Sequence, residues 1–447
     1  MTSILIKNAT IVNERKTFKG EVLIKDEFIS AIGFPDQITT PTGAEIIDAT
    51  GLILIPGVID DHVHFREPGL THKGDIFSES RAAVAGGVTS FMDMPNTNPQ
   101  TVTIDLLNDK YRIGSENSIV NYSFYLGATN NNLDEVTKAV PSEVCGIKMF
   151  MSSSTGNMLI DDEDILRELF SKARLPIACH CENEQIIRRN HEIFRQKYGD
   201  DVPVKMHPLI RSREACFLSS SQAVKLAKNL NTRLHILHLS TADEIKLLKN
   251  DMPLKQKKIT SEVCVHHLWF DDSSYDELGS RIKWNPAIKT RFDRESLISA
   301  VNNDLIDIVA SDHAPHTLEE KTNSYFKTPS GGPLIQHSLV AMLDLWHKKI
   351  ISLEKIIEKM CHNPAILFNI TERGFIREGY KADLCLIDPH SSWTVSKENI
   401  LYKCGWSPFE GTTFRSKVIK TLVNGTIVYD NGVINEDHRG QRLMFDR

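Results

Sequence analysis

The chain has 447 residues, of which 41% are hydrophobic and 25% charged, with a formal net charge of -6. That length allows one large domain with an appendage or two to three ordinary ones, and the composition is that of a soluble globular protein. The negative balance excludes nucleic acid or an anionic membrane surface as the main partner and leaves small molecules. The opening residues MTSILIKNATIVNE carry neither the basic segment nor the apolar core of an export signal, and no run approaches the roughly 18 apolar residues of a membrane span, so the expectation is a cytoplasmic protein. The 8 cysteines are scattered except Cys179 and Cys181, which flank His180 in an apolar run, so reduced and mostly buried thiols are expected rather than a disulfide framework.

Residues 1–55 are short alternating segments broken by Asn, Asp and Gly. The same pattern returns in FIREGYKADLCLIDP and TFRSKVIKTLVNGTIVYDNG, where Asn424-Gly425 reads as a tight hairpin. One β-domain built from 1–55 and 373–447 would therefore bracket a middle unit, 56–372.

In that middle unit apolar strand-like runs alternate with helical patterns, which is the signature of βα units and a parallel sheet. The runs start at Val58, Val88, Ile119, Gly146, Pro176, Leu234, Lys258 and Asp307. Helical patterns separate several of them, for example DDEDILRELFSKA (161–173), REACFLSSSQAVKLAKNL (213–230) and TADEIKLLKN (241–250). Eight such strands predict a TIM barrel, whose active site lies at the C-terminal ends of its strands.

Ligand-capable residues should then cluster at strand ends, and they do. VIDDHVHFREPG (58–69) ends the first strand, and alternation along it puts Asp60, His62 and His64 on one side. A His-x-His pair aims two imidazoles at one ion, although two histidines on a half-buried strand are ordinary when met alone. Lys148 lies in the fourth strand, His180 ends the fifth, His238 the sixth and Asp312 the eighth. On the sixth strand parity separates His235 from His238, and His238, nearer the C-terminal end, is taken as the ligand while His235 is left structural. Four histidines and an aspartate exceed what one zinc takes, so a two-metal site fits better. Two adjacent dications need a bridging anion. Lys148 is the candidate: a buried lysine readily loses its proton, and a neutral amine can capture carbon dioxide as a carbamate whose two oxygens each face a metal.

Three motifs, DDHVHFREPG (60–69), MPNTNP (94–99) and ASDHAPH (310–316), with GIKMFM, HCEN, HLST and WNPAIK in support, resemble the dihydroorotases of the amidohydrolase superfamily over nearly the whole chain. The resemblance implies a (β/α)8 barrel with a β-sandwich formed by both termini. It also implies reversible hydrolysis of L-dihydroorotate to N-carbamoyl-L-aspartate in pyrimidine synthesis. It assigns His62, His64 and Asp312 to the more buried of two zinc ions, His180 and His238 to the second, and the carboxylated bridge to Lys148. Asp312 would shuttle the proton, Arg66 would pair with the substrate carboxylate together with Asn96 and His316, and Asn285 would touch the ring. Two departures stand out. Other bacterial branches carry an Asp-Asp-Gly after the fourth strand where this chain reads Ser153-Ser154-Thr155-Gly156, which leaves the bridge to Lys148; Asp161 and Asp162 look instead like a helix start. After the eighth strand, PSGGPLIQHSL stands in place of a Gly-Leu-Glu-Thr.

One rival is a hydantoinase, dihydropyrimidinase or allantoinase, which shares the metal site but needs no arginine for a ring carboxylate. Another is a non-catalytic homologue that scaffolds a partner such as aspartate transcarbamoylase. Loss of ligand residues would mark it, and none is lost. A homo-oligomer and a complex of the active enzyme with that partner both stay open, as does closure of the 317–332 loop over substrate.

Overall fold

The computed structural model describes residues 3–151, 158–160 and 162–447. Its centre is a ring of parallel strands: β1 (Val58–Val63), β2 (Val88–Asp93), β3 (Asn121–Phe124, continued by Leu126–Gly127), β4 (Ile147–Phe150), β5 (Ile177–His180), β6 (Leu234–Ile236), β7 (Ile259–Cys264) and β8 (Ile308–Ala310). Neighbours pair in parallel from β1 to β3 and from β3 through β8. The two halves of β3 meet at Tyr125, whose N–H donates to Asp93 O at 3.0 Å and whose hydroxyl donates to Asp61 O at 3.1 Å. The ring closes where Val63 bridges His313 and Ser311 N–H donates to Asp60 Oδ1 at 3.2 Å. These strands are buried on both faces, inside by the barrel core and outside by helices, which is why they read as continuous apolar runs.

Two of the expected helices form. Asp162 caps Glu163–Lys172, its carboxylate accepting from Asp164 N–H and Ile165 N–H, and Ser212 caps Arg213–Leu230. Asp161 and the Ser153-Ser154-Thr155-Gly156 stretch lie outside the described residues. The helix expected over 241–250 is reduced to a 3-10 turn, Glu244–Leu247. Glu244 there is buried, its carboxylate accepting from Ser220 Oγ at 2.6 Å and Thr241 Oγ1 at 2.8 Å.

The termini build one continuous nine-stranded sheet. Ile53–Pro56 pairs antiparallel with Leu384–Asp388 and so joins the N-terminal strands to the C-terminal ones. Val423 pairs with Thr426 across Asn424-Gly425, the expected two-residue hairpin, with φ of 48° and 75° at the turn residues. Alternation sorts the sheet's faces. Ile4, Ile6, Ile11, Leu384 and Leu386 fill a core of the sheet's own, while Val12, Ile53, Ile55, Cys385 and Ile387 join the barrel core. Two segments leave the sheet for the barrel. An excursion carrying Tyr402, Trp406 and Phe409 packs over it, and Leu443 and Phe445 of the tail join a buried cluster with Tyr125, Ala178 and Ile308.

Sheet, barrel and tail meet at a buried ion pair. The Arg373 guanidinium donates to Asp383, to Asn424 Oδ1 at 2.7 Å and to Gln441 Oε1 at 3.0 Å, while Asp383 also accepts from Asn121 of β3 at 3.1 Å. Removing one partner of such a pair strands the other charge. Arg373→Ala should therefore cost about 3–5 kcal/mol, read as a shift in urea midpoint; a loss below about 1 kcal/mol would mean that the pair does not hold the junction.

Candidate active site

A cavity of about 320 Å³ opens where the strands end, lined by His62, His64, Arg66, Asn96, Lys148, His180, His238, Asn285 and Asp312 among others. A larger groove of about 940 Å³ between the terminal sheet and the tail carries no comparable cluster; its His362 accepts from Glu14 N–H and donates to Gly374 O.

Three of the cavity residues lie beyond the last paired residue of their strand and have left-handed backbone: Arg66 (φ 70°), His238 (φ 39°) and Asp312 (φ 48°). Non-glycine residues there carry a cost of order 1–3 kcal/mol and persist only where surrounding structure over-determines them. At each of these points the chain turns sharply out of the barrel wall. Strand parity therefore applies to His62 but stops short of His238, because β6 ends at Ile236.

The imidazoles are oriented one by one. His62 Nδ1 donates to Glu262 Oε1 at 2.5 Å, His64 Nδ1 to Asn96 Oδ1 at 2.8 Å, and His180 Nε2 to Glu182 Oε2 at 2.9 Å. Each bond fixes a tautomer and leaves the other ring nitrogen as a lone pair. Those lone pairs converge. His62 Nε2 and His64 Nε2 both lie 3.3 Å from Asp312 Oδ1, and His180 Nδ1 lies 2.9 Å from His238 Nε2. His238 Nδ1 is buried without a partner among the described residues.

Electrostatics point the same way. Four buried carboxylates, Asp60, Asp61, Glu262 and Asp312, share this end of the barrel with the Lys148 ammonium and the His235 ring. Burial pushes Asp60 up to about 7 and Asp312 up to about 6, the latter opposed by His62 and Lys148. Burial lowers the Lys148 amine to about 8, held there by Glu262 and Asp312. Burial also lowers His180 to about 4 and drives His64 and His238 well below the usual range, so these rings are neutral donors near pH 7. His62 moves the other way, because Glu262 and Asp312 outweigh its burial. The neutral rings of His64, His180 and His238, grouped with His62 and the Asp312 carboxyl, are a donor set that fits a cation.

All ten residues singled out from the sequence come to this end of the barrel. Asn96 reaches the cavity as the acceptor for His64, and Asn285 Oδ1 is buried without a partner among the described residues. Arg66 donates from Nε to Pro315 O at 3.0 Å, with His316 Nε2 3.1 Å from its terminal nitrogen; His316 stands behind Arg66 rather than on the cavity wall. His235 lies outside the cavity, 3.4 Å from both Asp61 and Glu262. Sequence reading missed Glu262, Glu182 and Arg211, which pairs with Glu182 and lines the cavity. The HCEN motif contained Glu182, and a carboxylate in the middle of the enclosed strand β7 was the signal for Glu262.

The Amidohydrolase family profile matches residues 53–428. The dihydroorotase of Aquifex aeolicus is 32% identical over 96% of this chain and 100% of that protein, and that of Methanosarcina acetivorans 31% over 99% and 96%. Among solved structures, an L-hydantoinase (dihydropyrimidinase) from Arthrobacter aurescens superimposes with a TM-score of 0.92 at 26% identity, covering 99% of this chain and 100% of that one.

Proposed function

Because this chain belongs to the amidohydrolase family, we propose that it is a dihydroorotase, a metal-dependent cyclic amide hydrolase that interconverts L-dihydroorotate and N-carbamoyl-L-aspartate. The observation that carries the choice within the family is Arg66. Its buried guanidinium lines the cavity next to His64 and Asp312 and pairs with no described carboxylate of the chain, so an anion brought by the substrate is its natural partner. Burial lowers it to about 10, which leaves it charged at neutral pH.

In this reading His62, His64 and Asp312 would hold one divalent zinc ion and His180 and His238 a second, with Lys148 as its carbamate a further ligand. Bound there, the metals supply Lewis-acid polarisation of the scissile amide and a nucleophilic hydroxide at neutral pH. The chain's own groups do the rest. Asp312 takes the proton released as the nucleophile attacks and delivers it to the leaving ring nitrogen. Arg66 holds the ring carboxylate, with Asn96 beside it. Lys148, buried and lowered to about 8, has an appreciable share of uncharged amine at neutral pH, and that amine attacks carbon dioxide and loses a proton to give the carbamate.

Protein purified without chelator should contain about two divalent ions per chain, by elemental analysis. Lys148→Ala should lose both metal and turnover, and short carboxylic acids should restore part of the rate. A fully active enzyme with one ion per chain would sink the binuclear reading.

Asp312→Asn should lower kcat by about 10²- to 10⁴-fold in both directions, since an amide cannot carry the proton. A variant that still works at a tenth of the wild-type rate would remove Asp312 from the shuttle.

Arg66→Met tests the substrate. A charge-assisted contact of roughly 1.5–3 kcal/mol corresponds to a loss of about 10- to 150-fold in kcat/KM on dihydroorotate. The metals should stay, and trace turnover of dihydrouracil or hydantoin should be spared. If wild type prefers dihydrouracil, or if both substrates suffer equally, the hydantoinase-like reading takes over.

A further inference from the structure

Pro329, Ser330 and Gly331 form part of the cavity wall. They end the 317–332 segment, which has one short helix, Leu318–Lys321, and otherwise turns and loops. The sequence left open whether this stretch closes over substrate; in the structure it is anchored from inside. Lys321 is 1% exposed and makes no ion pair among the described residues. Its Nζ donates to Gly331 O at 2.7 Å and Pro329 O at 3.0 Å, and reaches Lys283 O at 3.4 Å. Lys283 in turn donates from Nζ to Tyr325 O at 2.7 Å and Thr328 O at 2.5 Å, and Gly331 N–H returns to Lys283 O at 2.8 Å. All three contacts of the Lys321 amine are with main-chain carbonyls. Burial, with Lys283 and Arg66 nearby, pushes this amine well below the usual lysine range, so hydrogen bonds rather than an ion pair hold it. Letting the segment swing away would leave a buried polar group without its acceptors.

The wall also has no slack. Gly331 has φ 125°, and a Cβ there would lie 2.6 Å from Ala314 O. The residue before Lys321 braces the neighbouring feature: Glu320 pairs with Lys73 at 2.9 Å and with His316, the ring against Arg66. One helical turn thus supports both the guanidinium and the wall.

We propose that Lys321 is a positioning residue for substrate binding, fixing the main chain of 329–331 so that this side of the cavity stands formed before substrate arrives. The proposal rests on the reading of the cavity as the substrate site.

Hydrogen exchange of the wild-type holoenzyme tests it directly. Peptides covering 322–331 should be protected without ligand and change little when N-carbamoyl-L-aspartate is added. Rapid exchange without ligand, with protection only on its addition, would make the segment a lid and overturn the proposal. Lys321→Met should keep its metal and hold kcat within about threefold while raising KM about tenfold or more, with faster exchange at 322–331. An unchanged KM and exchange pattern would overturn it too, whereas a purely structural role would lower stability and metal content together. Should Lys321→Met not fold, the wild-type exchange still decides. If wild type fails on dihydroorotate, the functional reading falls, while ligand-free exchange still reports whether the wall stands.

Discussion

The constraint on which the rest of this structure depends is the orientation of imidazoles inside a desolvated barrel end. A buried histidine is useful as a ligand only if its proton sits on the nitrogen facing away from the centre, and in this chain a neighbouring acceptor decides that for each of three rings. Glu262 does the most, accepting from His62 Nδ1 and from the His238 main-chain N–H at 3.1 Å, with His235 nearby. It links strands β1, β6 and β7 through one carboxylate. His62 and His235 hold that carboxylate down in spite of its burial, so it stays an anion and an acceptor. Glu182 plays the same part for His180, with Arg211 keeping it ionised.

How far the sequence could be read follows from the same physics. The eight strands were legible because burial on both faces makes their side chains mostly apolar. His62, His64, Lys148, His180, His238 and Asp312 stood out as ligand-capable residues in or just after those runs. The left-handed turns at Arg66, His238 and Asp312 were not legible, since parity assumes that the strand continues. Glu262 and Glu182 were overlooked because they serve other side chains, and sequence spacing says nothing about a partner 200 positions away, as His62 is from Glu262. The 241–250 stretch misled for a related reason. Its periodicity suits a helix, but Glu244 is buried against Ser220 of the preceding helix as well as Thr241 of its own stretch, a contact spacing cannot show.

The terminal segments are more than an appendage. Trp406 donates from Nε1 to His316 O at 2.8 Å, and Lys403 N–H donates to Glu79 Oε1 at 3.1 Å. Glu79 also pairs with His313 at 2.9 Å, the residue after Asp312. The loop that follows β8 is therefore clamped from outside by the C-terminal excursion and from inside by β1, whose neighbour His64 N–H donates to His313 O at 2.7 Å. A residue in a strained backbone conformation, Asp312, sits between two clamps, which is the arrangement that lets such strain persist.

Substrate choice can then be located. A TM-score of 0.92 to a hydantoinase at 26% identity means that the barrel frame does not separate one cyclic amide from another. The separation has to come from a few side chains held in that frame. On energetic grounds the proposed reading gives that part to Arg66. Burying a guanidinium costs several kcal/mol unless acceptors replace its water, and among the described residues its side chain meets a carbonyl, Pro315 O, and a neutral imidazole, His316. In the proposed reading a substrate carboxylate entering the cavity would offset that imbalance, so the demand of one buried cation would become the recognition of an acidic ring.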